Sequence, residues 1–350
     1  MRVVVVGATG NVGTSLLTAL ADDDRVESVL GVARRLPQLE LPKVEWAQAD
    51  IASSDLGPLF RGADAVVHLA WLIQPSRDLE RLRRVNVDGS ARLFRAVAEA
   101  DVPSLVYASS LGAYSAGPKD GRVDESWPTD GVPTSFYGRH KAAVERLLDR
   151  FEQEHPDVRV VRLRPGLIFK REAAAGIRRL FVGPFLPSPL MRPRLLRLVP
   201  DLPGLRFQAV HSHDAADAYR LAVVGDTRGP FNIVAEPVLD AARLAKLLSA
   251  RVVRFPRAAA RGAVAISYRL RLQPTPPDWL DLALAVPLLD ASRAREQLGW
   301  IPRRSSEEAL LDLLAGLRER AGIETPPLAP STGGPLRVRE LLTGVGGRER

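Results

Sequence analysis

The chain contains no cysteine. Disulfides, thiolate nucleophiles and cysteine-ligated metals are therefore excluded. Histidine is scarce as well, and His68, His140, His155, His211 and His213 never form the His-Glu-x-x-His pattern of zinc hydrolases. His211 and His213 stand two apart before Asp214 without a third ligand cluster, so no metal is expected. No apolar run approaches the ~18 residues of a membrane-spanning helix. The N-terminal run Val3-Val4-Val5-Val6 is also too short for the ~7-residue core of a secretory signal. The chain reads as cytoplasmic, with no membrane partner. Only five of its 49 cations are lysines, and the net charge is +8. The arginines are scattered among acids, as in Arg81, Arg83, Arg84, Arg92 and Arg95, and are not interleaved with aromatics. That pattern is a solvated surface and not a nucleic-acid interface.

What is present is a regular alternation. Strand-length apolar bursts lie at 3–6, 26–33, 44–49, 65–70, 104–109 and 158–163, separated by amphipathic stretches such as 14–21, 79–100 and 136–154. Strands alternating with helices imply a parallel sheet covered on both faces, a doubly wound α/β fold. After Arg164-Pro165-Gly166 the texture changes. Residues 183–204 are rich in Pro, Leu and Arg and are expected to be irregular. Regularity returns at 207–210, 215–224 and 231–235, and 238–322 reads mainly as helices, ending in 306–320. The expected division is a dinucleotide-binding domain over 1–165 plus about 207–236 and a smaller, mostly helical substrate lobe over 166–206 plus 237–322. A flexible tail is expected over 323–350.

The strongest local signal is Gly7-Ala8-Thr9-Gly10-Asn11-Val12-Gly13, directly after a valine strand and at the start of a helical pattern. Gly7 permits a tight turn, Gly10 lets backbone approach a pyrophosphate, and Gly13 lets helix and strand pack closely. The helix N-terminus then offers N–H groups and partial positive charge to the phosphates.

The spacing is G-x-x-G-x-x-G with Thr9 before the second glycine. It resembles the short-chain dehydrogenase/reductase superfamily in its extended, epimerase/dehydratase-like branch, over about residues 1–320. The resemblance implies a Rossmann fold and a nicotinamide dinucleotide cofactor. It places Asp50 and Ile51 at the adenine and Leu69 and Ala70 along the cofactor. Asn86 is placed in the supporting network, and Pro165 is counted with the cofactor-side residues. It also leaves open a homodimer through helices that would include 79–100 and 136–154. Twenty residues past Gly13 stand Ala33, Arg34 and Arg35, with no carboxylate for a ribose 2′-hydroxyl. Two guanidiniums suit a 2′-phosphate, so NADP is expected in preference to NAD.

Tyr137 and Lys141 stand at i,i+4, on one face of a helix. An ammonium beside the phenol is expected to lower the phenol's pKa, so that Tyr137 exchanges a proton with an alkoxide near neutral pH. Lys141 is also expected to reach the nicotinamide ribose. Ser109 and Ser110 end the fifth strand, where ligands sit in such sheets. By resemblance Ser110 takes the position that polarises a carbonyl, with Ser109 as the alternative.

Some positions depart from the family pattern. Leu167 stands where sugar-nucleotide enzymes carry an Asn, Lys170 replaces the usual Gly, and Leu111-Gly112 replace the Asp-Glu pair of dehydratases. Leu180, Phe181, Phe185, Leu186 and Leu190 suit an apolar ketone, aldehyde or alcohol. Arg178, Arg179, Arg192 and Arg194 could instead hold a diphosphate. His213 and Asp214 are expected to cap and brace a helix. The leading expectation is an oxidoreductase moving hydride between the nicotinamide and a carbonyl or alcohol carbon. The alternatives are an NDP-sugar epimerase with tightly held cofactor and a non-catalytic dinucleotide sensor or scaffold.

Overall fold

The structure, a computed structural model, describes residues 1–73, 76–178 and 197–329. Its main sheet has seven strands. They are labelled β1 (Arg2–Val6), β2 (Ser28–Ala33), β3 (Val44–Gln48), β4 (Ala65–His68), β5 (Ser104–Ala108), β6 (Arg159–Pro165) and β7 (Gly229–Ile233). All pairings are parallel, in the order β7-β6-β5-β4-β1-β2-β3. The chain runs outward from β1 to β3 and then returns to β4 on the other side of β1. A crevice therefore opens between the C-terminal ends of β1 and β4, which is where such sheets bind ligands.

The valine run of β1 is explained by its central place, since a strand covered on both faces has no polar side. Val3 and Val5 point into one layer, with Leu16 and Leu20 of the helix Asn11–Ala21 and Ala215 and Tyr219 of the helix Ser212–Val224. Val4 and Val6 point into the other, with Leu93 and Phe94 of the helix Gly89–Glu99 and Leu148 of the helix Phe136–Glu154. Burying these side chains stabilises the fold by roughly 1.5–3 kcal/mol each.

Three local expectations change. The helix expected over 79–100 is interrupted: Leu79–Arg83 and Gly89–Glu99 flank a π-helical turn at Arg84–Asp88. Gly89 there passes Ile51 so closely that a Cβ would lie 3.0 Å from the Ile51 side chain. Within the stretch expected to be irregular, Leu198–Asp201 is a strand, paired in parallel with Arg251–Arg254. The cap of the helix Ser212–Val224 is His211, whose Nδ1 accepts from the His213 N–H, and not His213 itself. Asp214 does brace the region, accepting from Trp300 Nε1 through its carbonyl and from the Arg304 N–H through its carboxylate.

Leu180, Phe181, Phe185, Leu186, Leu190, Arg179, Arg192 and Arg194 lie outside the described residues, as does 330–350. Of the segment expected to be a flexible tail, residues 323–329 are described. There Thr325 is fully buried and its hydroxyl donates to the Thr9 carbonyl at 3.0 Å. Among the described residues no helix is long and apolar enough to cross a membrane.

Candidate active site

The glycine turn leaves β1 at the crevice. Gly7 adopts φ +90°, and a Cβ there would lie 2.6 Å from the Ala70 nitrogen; at Gly13 it would lie 2.5 Å from the Ala8 carbonyl oxygen. The protein's own packing therefore requires both glycines. Gly10 differs, because among the described residues a Cβ there would meet only the Gly7 carbonyl oxygen, at 3.4 Å. No other described residue would contact that Cβ. Gly10 caps the helix Asn11–Ala21 with no side-chain hydrogen bond, and no acid lies in the first turn. Among the described residues no side chain caps this helix N-terminus. The Asn11 side chain donates to the Ile168 carbonyl at 3.1 Å, tying the turn to the segment after β6. Val12 packs against the core, and Thr9 is buried.

At the ends of β2 and β3, a cavity of about 340 Å³ is lined by Arg34, Arg35, Gln48, Ala49, Asp50 and Ser54. The two guanidiniums and Asp50 thus meet at one hollow. Ile51 turns into the core, and Leu69 and Ala70 follow β4 past Gly7. Asn86 is fully buried in the π-helical turn. It accepts from the Leu72 N–H at 2.7 Å and donates to the Leu72 carbonyl at 3.0 Å, so it fixes the Ala70–Leu72 backbone from behind. Pro165 closes β6 and is buried.

Ser110 and Tyr137 meet. Both border Gly112, where a Cβ would lie 2.7 Å from the Tyr137 ring and 3.5 Å from the Ser110 oxygen, and the Ser110 hydroxyl accepts from the Gly112 N–H at 3.0 Å. Ser109 turns the other way and donates to Glu145 at 2.5 Å. Glu145 lies four residues beyond Lys141, is fully buried, and takes two hydrogen bonds from Arg164 and one from Arg162. The guanidiniums hold its carboxyl down at about 2 against the opposing effect of burial. Arg164 also donates to the Tyr114 hydroxyl, which donates to Asn232 at 2.7 Å. This ionic network underlies the floor of the site and was missed from sequence. Its one visible signal was Glu145 continuing the Tyr137–Lys141 spacing.

Lys141 corrects an expectation. Its ammonium donates to the Ala108 carbonyl at 2.7 Å and to the Tyr107 hydroxyl at 3.3 Å, and lies 3.5 Å from the centre of the Trp71 ring. Burial pushes its pKa well below the ordinary lysine value. Burial likewise pushes Tyr137 up, to about 12, with Ser110 as the opposing influence. Tyr137 is therefore held as a protonated phenol, not the lowered one that the pairing implied. The phenol packs between two indoles, with ring centres 5.1 Å away at Trp279 and 6.0 Å away at Trp71. Trp279 comes from the helix Asp278–Ala285 of the C-terminal part, and no sequence motif drew attention to either tryptophan.

The model of the NAD dependent epimerase/dehydratase family matches residues 3–181. The chain belongs to that family. An uncharacterised protein of Mycobacterium tuberculosis is 26% identical over 326 residues, 92% of this chain. The chain spans only 31% of that relative's length. The L-arabinose 1-dehydrogenase (NAD(P)+) of Haloferax volcanii is 30% identical over 176 residues, covering 47% of this chain and 66% of that enzyme. Among solved structures, the UDP-glucose 4-epimerase of Thermus thermophilus in complex with NAD has a TM-score of 0.64 at 22% identity, covering 91% of this chain and 99% of the other. That likeness establishes the shared Rossmann architecture.

Proposed function

We propose that the protein is an oxidoreductase that moves hydride between a nicotinamide dinucleotide, NADP in preference to NAD, and a carbonyl or alcohol carbon. The observation that carries this reading is the juxtaposition of Ser110 and Tyr137 around Gly112, at the sheet edge where the uncapped glycine helix also opens. When bound, the dinucleotide supplies or accepts the hydride. The chain's residues do the rest. The Gly10 cradle and helix N-terminus hold the diphosphate, and Arg34 and Arg35 take the 2′-phosphate. Ser110 donates to the substrate oxygen, and Tyr137 gives that oxygen its proton as negative charge develops on it. Lys141 sets its amine at the end of β5, on the Ala108 carbonyl, beside the reacting groups. Trp71 and Trp279 exclude water from the phenol and favour an apolar substrate face.

A second reading is an NDP-sugar epimerase that oxidises and re-reduces one substrate on retained cofactor. The Thermus thermophilus likeness favours it, while Leu167 and Lys170 at the positions noted above favour the first. Cofactor that stays with the purified protein and does not exchange with the bulk supports the epimerase. The decisive test of the shared chemistry is Tyr137→Phe. Turnover of a good carbonyl substrate should fall by about 10²-fold or more with NADPH affinity unchanged. Turnover within about threefold of wild type overturns the assignment.

A further inference from the structure

Lys170 sits in the segment between β6 and the lobe, with 2% of its surface exposed. Its ammonium donates to the Thr14 hydroxyl at 2.7 Å and the Ser15 hydroxyl at 3.0 Å. Both belong to the opening turns of the helix that follows the glycine loop. Ser15 in turn bonds Ser212, the first residue of the helix Ser212–Val224, at 3.0 Å. The ammonium thus lies beside the positive ends of two helices. Among the described residues no carboxylate comes within ion-pair distance of it. Glu172 acts on it only from farther off, and His213 is the other titratable group close enough to feel it. A buried cation among hydroxyls and helix N-termini is costly unless an anion completes the arrangement. Burial accordingly draws the Lys170 pKa down to about 8, so it is still mostly charged near neutral pH.

The hydrogen bonds show where that anion belongs. Thr14 accepts from Lys170 and passes its own proton to the Gly10 carbonyl at 3.0 Å or the Asn11 carbonyl at 3.2 Å. Ser212 also donates to the Asn11 carbonyl, at 3.1 Å. The Gly10 and Asn11 carbonyls are thus held from beneath, so the N–H groups of the same peptide units, those of Asn11 and Val12, point the opposite way, while the Gly10 N–H itself closes the turn on the Gly7 carbonyl at 3.2 Å.

We propose that Lys170 is a positioning residue for the dinucleotide diphosphate. It supplies through Thr14 the positive charge and loop rigidity that the uncapped helix alone does not. The inference rests on the cofactor reading above and deepens it. Lys170→Met keeps the length of the side chain and removes the charge. The variant should melt at or above the wild-type temperature without ligand, because an unpaired buried charge is gone. It should also bind NADP+ and ADP at least tenfold more weakly, with adenosine affinity within threefold of wild type. Opposite signs for stability and phosphate affinity are what a merely structural lysine would not give. Lys170→Arg should recover most of the ADP affinity. Thr14→Val, which severs the relay while keeping Lys170, should weaken ADP several-fold and adenosine little, and stands in should the Met variant not fold. ADP affinity unchanged within threefold in these variants, or adenosine weakened as much as ADP, overturns the inference while leaving the cofactor reading intact. A wild-type protein that binds neither NADP+ nor NAD+ at millimolar concentration overturns the cofactor reading itself.

Discussion

Ser109 and Ser110 are consecutive, yet their hydroxyls lie at different turns of the helix Phe136–Glu154. Ser109 reaches down to Glu145 and Ser110 reaches the Tyr137 phenol. The strand ends at Ala108, and the alternation of side-chain direction assigns the two serines different work. Ser110→Ala should therefore cost about 10²–10³ in kcat, the usual loss when one donor to a developing oxyanion is removed. Ser109→Ala should leave kcat within a few-fold and lower stability by about 1–2 kcal/mol, by stripping one donor from a buried carboxylate. Steady-state kinetics and urea melts on both variants check the division; a larger kcat loss for Ser109→Ala would reverse the assignment.

The Tyr137 phenol sets a pH signature. With its pKa at about 12, the proton-bearing form dominates throughout the range from pH 6 to 9. Carbonyl reduction needs that form, so its kcat should be flat across this range. Alcohol oxidation needs the deprotonated form, so its kcat should climb about tenfold per pH unit. Paired rate profiles in the two directions test the sign. A reduction rate that falls with an apparent pKa near 7 would overturn the assignment of a high-pKa phenol as the proton donor.

Glu145 predicts acid sensitivity. Its folded pKa, about 2, lies below the ordinary value of 4.5. The sign follows from linkage: the stabilisation is fully present above the unfolded value and is lost as pH falls from about 4.5 through about 2. The urea midpoint should drop steeply over that window. Glu145→Gln should flatten the drop and cost about 3–5 kcal/mol at neutral pH, because Arg162 and Arg164 would then be buried without their shared carboxylate.

Much of this arrangement was legible in the sequence because it depends on short-range rules. The valine run, the glycine spacing and the alternating periods name the fold. The Tyr137–Lys141 spacing names one helix face, and the helix Phe136–Glu154 appears where its pattern placed it. What was not legible depends on contacts far apart in the chain. Trp279 meets Tyr137 across 142 positions, and Arg164 meets Glu145 from a different element. The expected lowering of the Tyr137 pKa failed for the same reason. Helical spacing puts Lys141 on the right face, but the Ala108 carbonyl and the Trp71 ring, supplied by other strands and loops, decide where its ammonium goes. Lys170 was visible only as a departure from the family pattern, without the two helix ends that give the departure its meaning.

Arg34 and Arg35 line one cavity with Asp50, so the proposed preference for NADP is a prediction about charge. A 2′-phosphate placed there would take charge-assisted hydrogen bonds from the guanidiniums worth about 1.5–3 kcal/mol each, while a ribose hydroxyl would have Asp50 as its acceptor on the same hollow. Converting both arginines to alanine should thus weaken NADPH by about 10²-fold or more and leave NADH within a few-fold. Asp50, on the same hollow, should then become the stronger influence and move the preference toward NADH. Titrations of both cofactors against wild type and the double variant decide the matter. A wild-type protein that favours NADH by tenfold or more would mean that the guanidiniums are surface charges only, and that the ribose is held by main chain.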